Sequence, residues 1–434
     1  MNLLFSNDRR GEFPNSWYAA TATPPLPFSP LRGRDTATVC VIGGGFTGLS
    51  TALHLATAGV DVVVLEAHRI GFGASGRNGG QVGSGQRLEQ TDLEKMMGDA
   101  DATALWQLGE DAKAKITDVC ATHGIDCDYR PGVVHADCHA RDVPHAHAYA
   151  KHLHDRYGYD RIELLDREGL RAMVDSPAYH GGYVDWGAGH LHPLKLAFGL
   201  ARAAVTAGVR IHEGTWVHDI QTGTRPLVRT DMGSIECDHV VLATNGYMGR
   251  LNDQVAARVM PINNFIVATK PLTEPQEQVL KQDVAVADSK FVVNYFRLSD
   301  DKRLLFGGGE TYGYRFPRDI AALVRKPMSQ IFPQLADVAI EYAWGGTLAI
   351  TRNRLPCFMR PAPGVWSASG YSGHGVALAV LAGDIIAEAI SGNSARFDLM
   401  ARLPQPRFPG GTGLRSPLLA GAMTWFSLRD RLGF

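Results

Sequence analysis

The sequence predicts an α/β protein: a doubly wound parallel sheet with a smaller, mostly antiparallel α+β unit inserted into it. Three observations predict it. Residues 39–42 and 60–65 are short β-branched runs suited to buried parallel strands, and residues 49–58 between them have helical spacing. The same alternation returns at 194–220 and 235–243 and closes the chain at 365–390. Between these, from 261 to about 346, come strand-like runs at 265–269, 291–297, 304–308 and 339–344, the pattern of an antiparallel sheet.

Taken in order, Pro24, Pro25, Pro27 and Pro30 mark residues 1–32 as an extended arm over the surface. Gly43, Gly45 and Gly48 then stand in G-x-G-x-x-G spacing between the first strand and its helix. A tight turn, backbone approach to a pyrophosphate and close helix–strand packing each ask for glycine. The helix start offers unpaired N–H groups and a positive dipole end to phosphate. Glu66 ends the second strand, where a carboxylate accepts from the ribose hydroxyls of an unphosphorylated adenosine. Strand, glycines, helix, strand and acid in that order read as a dinucleotide site, open at this point to FAD or NAD.

Seven glycines from 71 to 85 make a loop whose backbone approaches a ligand, and Arg77, Asn78 and Gln81 within it argue against a plain linker. Residues 88–123 read as two helices, 128–140 as a strand entering a second domain, and 164–174 as a short helix. The helix at 140–157 carries His145, His147, His152 and His154; pairs at i, i+2 lie on different faces, so a surface cluster is expected and no metal. Pro193 opens a helix at its first turn, and His190 and His192 before it read as helix-entry or core residues. The strand at 235–243 ends in Thr244, Asn245 and Gly246, at the sheet edge where such folds bind ligands. The turn at 370–375 aims a second positive helix end at a bound group.

The 434 residues suit two domains, and 45% hydrophobic with 20% charged residues is a globular composition. A formal charge of −1 gives no case for nucleic acid. No run approaches the ~20 apolar residues of a membrane span. The N-terminus lacks a secretory pattern, and the six cysteines (40, 120, 127, 138, 237, 357) form no C-x-x-C pair, so reduced thiols in a cytoplasmic protein are expected.

The chain resembles the D-amino-acid-oxidase-type FAD-dependent oxidoreductases, and within them the γ-glutamylputrescine oxidases. VIGGGFTGLSTALHLA with Glu66, then EGTWVHDI, VVLATNGY and ASGYSGHGVALA carry the family resemblance; GFGASGRNGGQV, HGIDCDYRPG and LFGGGETYG carry the narrower one. The fold implied is a Rossmann-like FAD-binding domain of DAO (GR2) type at 33–122, 193–255 and 350–410. The substrate domain would take 123–192 and 256–349, the arm 1–32, and a C-terminal helical tail 411–434. The resemblance implies FAD held by Gly43, Gly44, Gly45, Phe46, Thr47 and Gly48, with Glu66 and Ala67 at the ribose. Gly73, Ala74, Ser75, Gly76, Arg77, Asn78, Gly79, Gly80 and Gln81 would run along the flavin. Val217 would meet the adenine, Thr244, Asn245 and Gly246 the strand-end edge, and Gly373, Gly375 and Val376 the pyrimidine edge.

Two departures shape the expectation. The run 344–356 holds no cysteine where sarcosine oxidases attach flavin, so FAD is expected to be non-covalent. Nor does 345–350 hold the arginine that clamps an α-carboxylate in amino-acid oxidases, which leaves Arg297, Arg352 or Arg354 as alternatives. The expected reaction is oxidation of an amine C–N bond, of a γ-glutamylputrescine-like amine, with dioxygen as acceptor. The other readings are an amino-acid or N-methyl-amino-acid oxidase or dehydrogenase, and an FAD-holding assembly or maturation protein. His374 is the candidate catalytic residue, as a cation assisting dioxygen, as a neutral proton acceptor, or merely as an anchor of its turn. Tyr295, Phe296, Trp344 and Tyr371 are candidate walls of the amine pocket.

Overall fold

The structure, a computed structural model, describes residues 2–311 and 313–409. The arm makes a short turn at Leu3–Phe5 and a helix α1 (Trp17–Thr21) before β1 (Gly33–Ile42), α2 (Phe46–Thr57) and β2 (Val62–Leu65). The glycine loop follows, with a 3₁₀ turn at Ala74–Gly76 and the two-residue β3 (Gln81–Val82). Next come α3 (Gln90–Met97), α4 (Asp99–His123), β4 (Arg130–Ala136), α5 (Val143–Tyr157), β5 (Ile162–Leu165), α6 (Arg167–Met173) and β6 (Gly182–His190). The chain returns through α7 (Pro193–Thr206), β7 (Arg210–His212), β8 (Val217–Gln221), β9 (Leu227–Thr230), β10 (Gly233–Leu242) and α8 (Asp253–Ala256). It leaves again as β11 (Met260–Thr269), β12 (Ala285–Asp288), β13 (Tyr295–Leu298), β14 (Leu304–Thr311), α9 (Ile320–Ile331) and β15 (Ile340–Ile350). β16 (Cys357–Ala362), β17 (Val365–Ser369), α10 (Gly375–Ile390) and α11 (Ala395–Arg402) end the described chain.

The first sheet runs β16-β17-β10-β1-β2-β7, with β9 added to β10 and β8 to β9. β17, β10, β1, β2 and β7 are all parallel. Because β2 leaves β1 on one side and β10 joins it on the other, the connections diverge at β1. A crevice opens there above the carboxyl ends of the strands. α2 and α10 both start at this edge and pack side by side. Nearly all of α10 is buried, which is why it is apolar apart from the ion-paired Asp384 and Glu388. Gly383 lets α2 come close, since a Cβ there would stand 2.5 Å from Ser50 Cβ.

The second sheet runs β15-β11-β14-β13-β12-β4-β6-β3, with β5 on β6. Every pair in it is antiparallel except β12 with β4. Both parts of the expected fold class are therefore present.

The details differ in places. β3 lies in the stretch assigned to the nucleotide-binding part yet pairs with β6 of the second sheet, so the glycine loop bridges the two sheets. The helix expected over 164–174 starts later, at α6, after the short edge strand β5. The arm is more than a surface strap. Trp17 and Tyr18 enter the core through α1, where Ser16 caps the helix by accepting from Ala19 N–H, and Tyr18 meets Trp344 edge-on at 5.2 Å. The expected tail helix at 411–434 lies outside the described residues.

Candidate active site

A cavity of about 740 Å³ opens where the two sheets meet above the end of β1. Its inner wall is the turn into α2. Gly43 has φ of +112°, and a Cβ on it would stand 2.6 Å from the Ala243 carbonyl oxygen. Gly48, one turn into α2, presses on the same turn: its Cβ would fall 2.0 Å from the Gly43 carbonyl oxygen. Gly45 supplies no side chain to cap α2, so the cavity faces backbone N–H groups and the positive end of a helix dipole. Ser75 of the glycine loop reaches across to accept from Phe46 N–H at 2.9 Å.

Glu66 stands beside this turn. One carboxylate oxygen accepts from Gly44 N–H and the other from His68 N–H, both at 2.8 Å. Burial nevertheless pushes its pKa up to about 7, against the pull of those two donors. Ribose hydroxyls donate best to an ionised acceptor. FAD affinity of the apoprotein is therefore expected to rise as pH climbs through 7, with uptake of FAD releasing a proton, and Glu66→Gln should flatten the profile. For the empty chain the sign is opposite. The folded state keeps a proton that an ordinary glutamate of 4.5 has lost, so stability falls as pH rises from 4.5 through 7. Fluorescence titration with FAD from pH 6 to 8 checks the first, and chemical denaturation of the apoprotein the second.

Gly43, Gly44, Gly45, Phe46, Thr47, Glu66 and Ala67 line the cavity. So do Gly73, Ala74, Ser75, Arg77, Asn78, Gly79, Gly80 and Gln81 of the loop, with Val217, Thr244, Asn245, Gly373, His374, Gly375 and Val376. Gly48, Gly76 and Gly246 stand behind this surface. Gly76 packs on the Gly71 carbonyl and Gly246 on that of Leu348.

The polar loop side chains bond mainly within the protein, although Nη2 of Arg77 has no hydrogen-bond partner among the described residues. Arg77 donates to Phe72 O, to Gly345 O and to Asp8 of the arm. Asn78 donates to Ala74 O and Ser75 O and accepts from Gly80 N–H, while Gln81 donates to Val286 O. These residues shape the loop and leave its backbone to face the ligand.

Two of the four expected pocket walls are on the cavity and two are not. Tyr295 lines it, its ring held between Gly79 and Gly307, where a Cβ would stand 2.7 and 2.1 Å from the ring. Tyr371 lines it too, and its hydroxyl bonds Thr47 at 2.7 Å, which ties the start of α10 to that of α2. Phe296 turns the other way, into the core of the second sheet, stacked on Phe306 at 5.6 Å. Trp344 is buried beneath the loop, donating from its ring N–H to Arg77 O at 3.2 Å.

His374 ends the turn before α10. Its ring lies against Gly83, where a Cβ would come within 2.4 Å, and its Nε2 has no hydrogen-bond partner among the described residues. Burial first, then the charge of Arg87, lowers its pKa to about 4, so the ring is neutral near pH 7. That environment disfavours the cationic role.

Arg87, which sequence reasoning passed over, and Arg354 both line the cavity. Neither forms an ion pair with a described residue; Arg354 lies 5.5 Å from the Phe291 ring centroid. Burial and then Arg354 lower the Arg87 pKa, yet a guanidinium stays charged. Two guanidiniums with no ion pair to a described residue thus share the chamber with the carboxyl groups of Glu89, Asp137, Asp142, Asp288 and Glu310. The other two arginines weighed as clamps are occupied elsewhere: Arg297 donates to Gly79 O and Leu191 O, and Arg352 to Arg407 O. Tyr247, one residue past the expected strand-end contacts, also lines the cavity.

Among the described residues no group of His, Cys, Asp or Glu could hold a metal ion, and no helix is long and apolar enough to cross a membrane. The histidines of α5 are paired one by one: His145 with Glu89, His152 with Glu94, His154 with Asp155, and His147 with backbone carbonyls.

A family model described as FAD dependent oxidoreductase (DAO) matches residues 38–389. The chain is 42% identical to gamma-glutamylputrescine oxidoreductase of Escherichia coli (strain K12), over 97% of this chain and 99% of that one. It is 43% identical to "Probable oxidoreductase OrdL" of Rhizobium meliloti (strain 1021), over 96% and 97%. Among solved structures, glycine oxidase from Geobacillus kaustophilus superposes with a TM-score of 0.73 at 22% identity, covering 86% of this chain and all of that one, a likeness of fold. The start of α2, whose N-cap Gly45 has no side chain, the glycine cradle and Glu66 fit the dinucleotide that this family carries.

Proposed function

The chain belongs to the DAO family of FAD-dependent oxidoreductases, and from that premise we propose that it oxidises a γ-glutamylputrescine-like amine on non-covalently held FAD. The observation that carries the substrate class is the Arg87–Arg354 pair: two guanidiniums with no described carboxylate partner, in the same cavity as the glycine cradle. They suit a substrate whose carboxylate lies far from the carbon being oxidised. The name of the Escherichia coli relative supports the diamine part. No described cysteine lines the cavity, and Cys357 is buried with its thiol donating to Gln405, which supports non-covalent attachment.

When bound, FAD supplies a two-electron acceptor for the hydride of the amine N–CH bond, the free imine hydrolysing to aldehyde and ammonia and dioxygen taking the electrons as hydrogen peroxide. The chain's own residues do the rest. The starts of α2 and α10 bind negative charge at two places on one wall. Tyr295, fixed between two glycines, gives a rigid wall that holds the amine and keeps water out. Desolvation favours the neutral amine, and the neutral His374 ring, with Nε2 unpartnered, can accept a hydrogen bond from it without itself becoming charged.

A second reading, an amino-acid or N-methyl-amino-acid oxidase, draws on Arg354 alone as clamp. Anaerobic mixing of holoenzyme with γ-glutamylputrescine, sarcosine or glycine separates the readings. Bleaching of flavin absorbance by the first is expected. Bleaching only by sarcosine or glycine would overturn the proposal, and silence with all three would favour an FAD-holding assembly protein. Readmitting air and assaying peroxide tests dioxygen as acceptor.

A further inference from the structure

Away from the cavity, two thiols face each other. Cys120, on the last turns of α4, has its sulfur 3.5 Å from that of Cys127, in the segment leading to β4. The turn that brings them together is held at both ends. Gly124 adopts the left-handed conformation at the end of α4, and both it and Ile125 donate to the Cys120 carbonyl. On the other side, the Cys127 carbonyl accepts from His192 N–H at 2.7 Å. The backbones are fixed while the sulfurs stay free to turn. A bonded pair needs ~2.05 Å, so about 1.5 Å of approach remains.

Cys40 and Cys237 also hydrogen-bond thiol to thiol, but neither is reachable from solvent. Cys40, Cys237 and Cys357 are fully buried, and Cys138 has no sulfur neighbour among the described residues. Cys120 is half-buried and reachable, whereas Cys127 lies behind it at 2% exposure. A hydrogen bond from Cys127 favours the Cys120 thiolate and lowers its pKa, while Cys127 is raised.

We propose that Cys120 and Cys127 are a peroxide-reactive pair that closes into a reversible disulfide. The Cys120 thiolate attacks one oxygen of hydrogen peroxide, forming a sulfenic acid and releasing the other oxygen as water. The Cys127 sulfur then attacks the sulfenic sulfur and the hydroxyl departs as a second water, so two thiols and one peroxide give one disulfide and two waters. The oxidised state staples the end of α4 to the segment leading into β4. The proposed oxidase reaction would supply the peroxide at close range; the pair's reactivity does not rest on that reading, because peroxide can be added.

The test uses holoenzyme treated with hydrogen peroxide, alkylated, and mapped by mass spectrometry. Expected is loss of two of the six thiols, a peptide joining 120 to 127, reversal by dithiothreitol, and closure about tenfold or more faster than oxidation of Cys138. Cys127→Ser should leave a sulfenic acid at Cys120 that dimedone traps. Cys120 staying reduced in peroxide, or passing to sulfinic acid without the cross-link, would overturn the proposal, as would a pair that diamide joins but peroxide does not. If added peroxide closes the pair but turnover with amine does not, the pair stands and the oxidase reading fails.

Discussion

Gly48→Ala is expected to yield folded but nearly colourless protein, with FAD affinity down by about a hundredfold or more. The added methyl would lie 2.0 Å from the Gly43 carbonyl oxygen. The clashing atom is backbone, so no side chain can swing aside to relieve it, and Val41 Cγ1 also stands 3.1 Å from the methyl. Relief requires the first turn of α2 to move away from the end of β1, and that displaces the N–H groups that face the pyrophosphate site. Overpacking of this kind costs about 3 kcal/mol, and 1.4 kcal/mol is tenfold in affinity. Gly59→Ala is the control, since nothing lies within 4 Å of its Cβ; its φ of +81° costs local stability without touching the cradle. Flavin absorbance per polypeptide, read beside far-ultraviolet circular dichroism, checks the result. Full colour in a folded Gly48→Ala protein would remove the cradle from the binding site.

Arg87→Met is expected to lower kcat/KM for γ-glutamylputrescine roughly 30- to 5,000-fold while leaving N-butanoylputrescine, which lacks the carboxylate, little changed. The size follows from removing one partner of a desolvated, hydrogen-bonded charge pair, about 2–5 kcal/mol. A contact far from the reacting carbon binds ground and transition states alike, so most of the loss should fall in KM. Arg354→Met should behave in the same way, and the double variant should lose less than the product of the two, because both grip one group. Equal losses on both substrates would show that the arginines hold structure, not the acid.

The site's legibility in the sequence follows the range of the contacts. The turn from β1 into α2 and the acid at Glu66 are set by residues within one strand–helix–strand unit, and their spacing is visible in the chain. Tyr295 and Phe296 show the limit. Neighbours on a strand point to opposite faces, so of two adjacent aromatics only one could face the cavity, and which one depends on where β13 sits between β12 and β14. Trp344 is turned under the glycine loop by a hydrogen bond to Arg77, a partner 267 positions away. Arg87 carried no local mark at all. Its setting comes from a loop that crosses from the first sheet to the second through β3, and only the assembled fold puts Arg354 beside it. Tyr247 was closer to reach, since it directly follows the strand-end run Thr244–Asn245–Gly246.

The bond between Tyr371 and Thr47 has a mechanical side. It joins the first turn of α2 to the turn that leads into α10, two helices whose flanks already interlock at Gly383 and Ser50. The diphosphate bridge and the redox ring of a single long ligand would therefore rest on one stiff platform and could not drift apart. Whatever breathing admits an amine must be done by the opposite bank, where α3 meets α5 through side-chain contacts, with His152, Tyr157 and Arg156 on Glu94 and with Tyr149 and Tyr157 on Gln90.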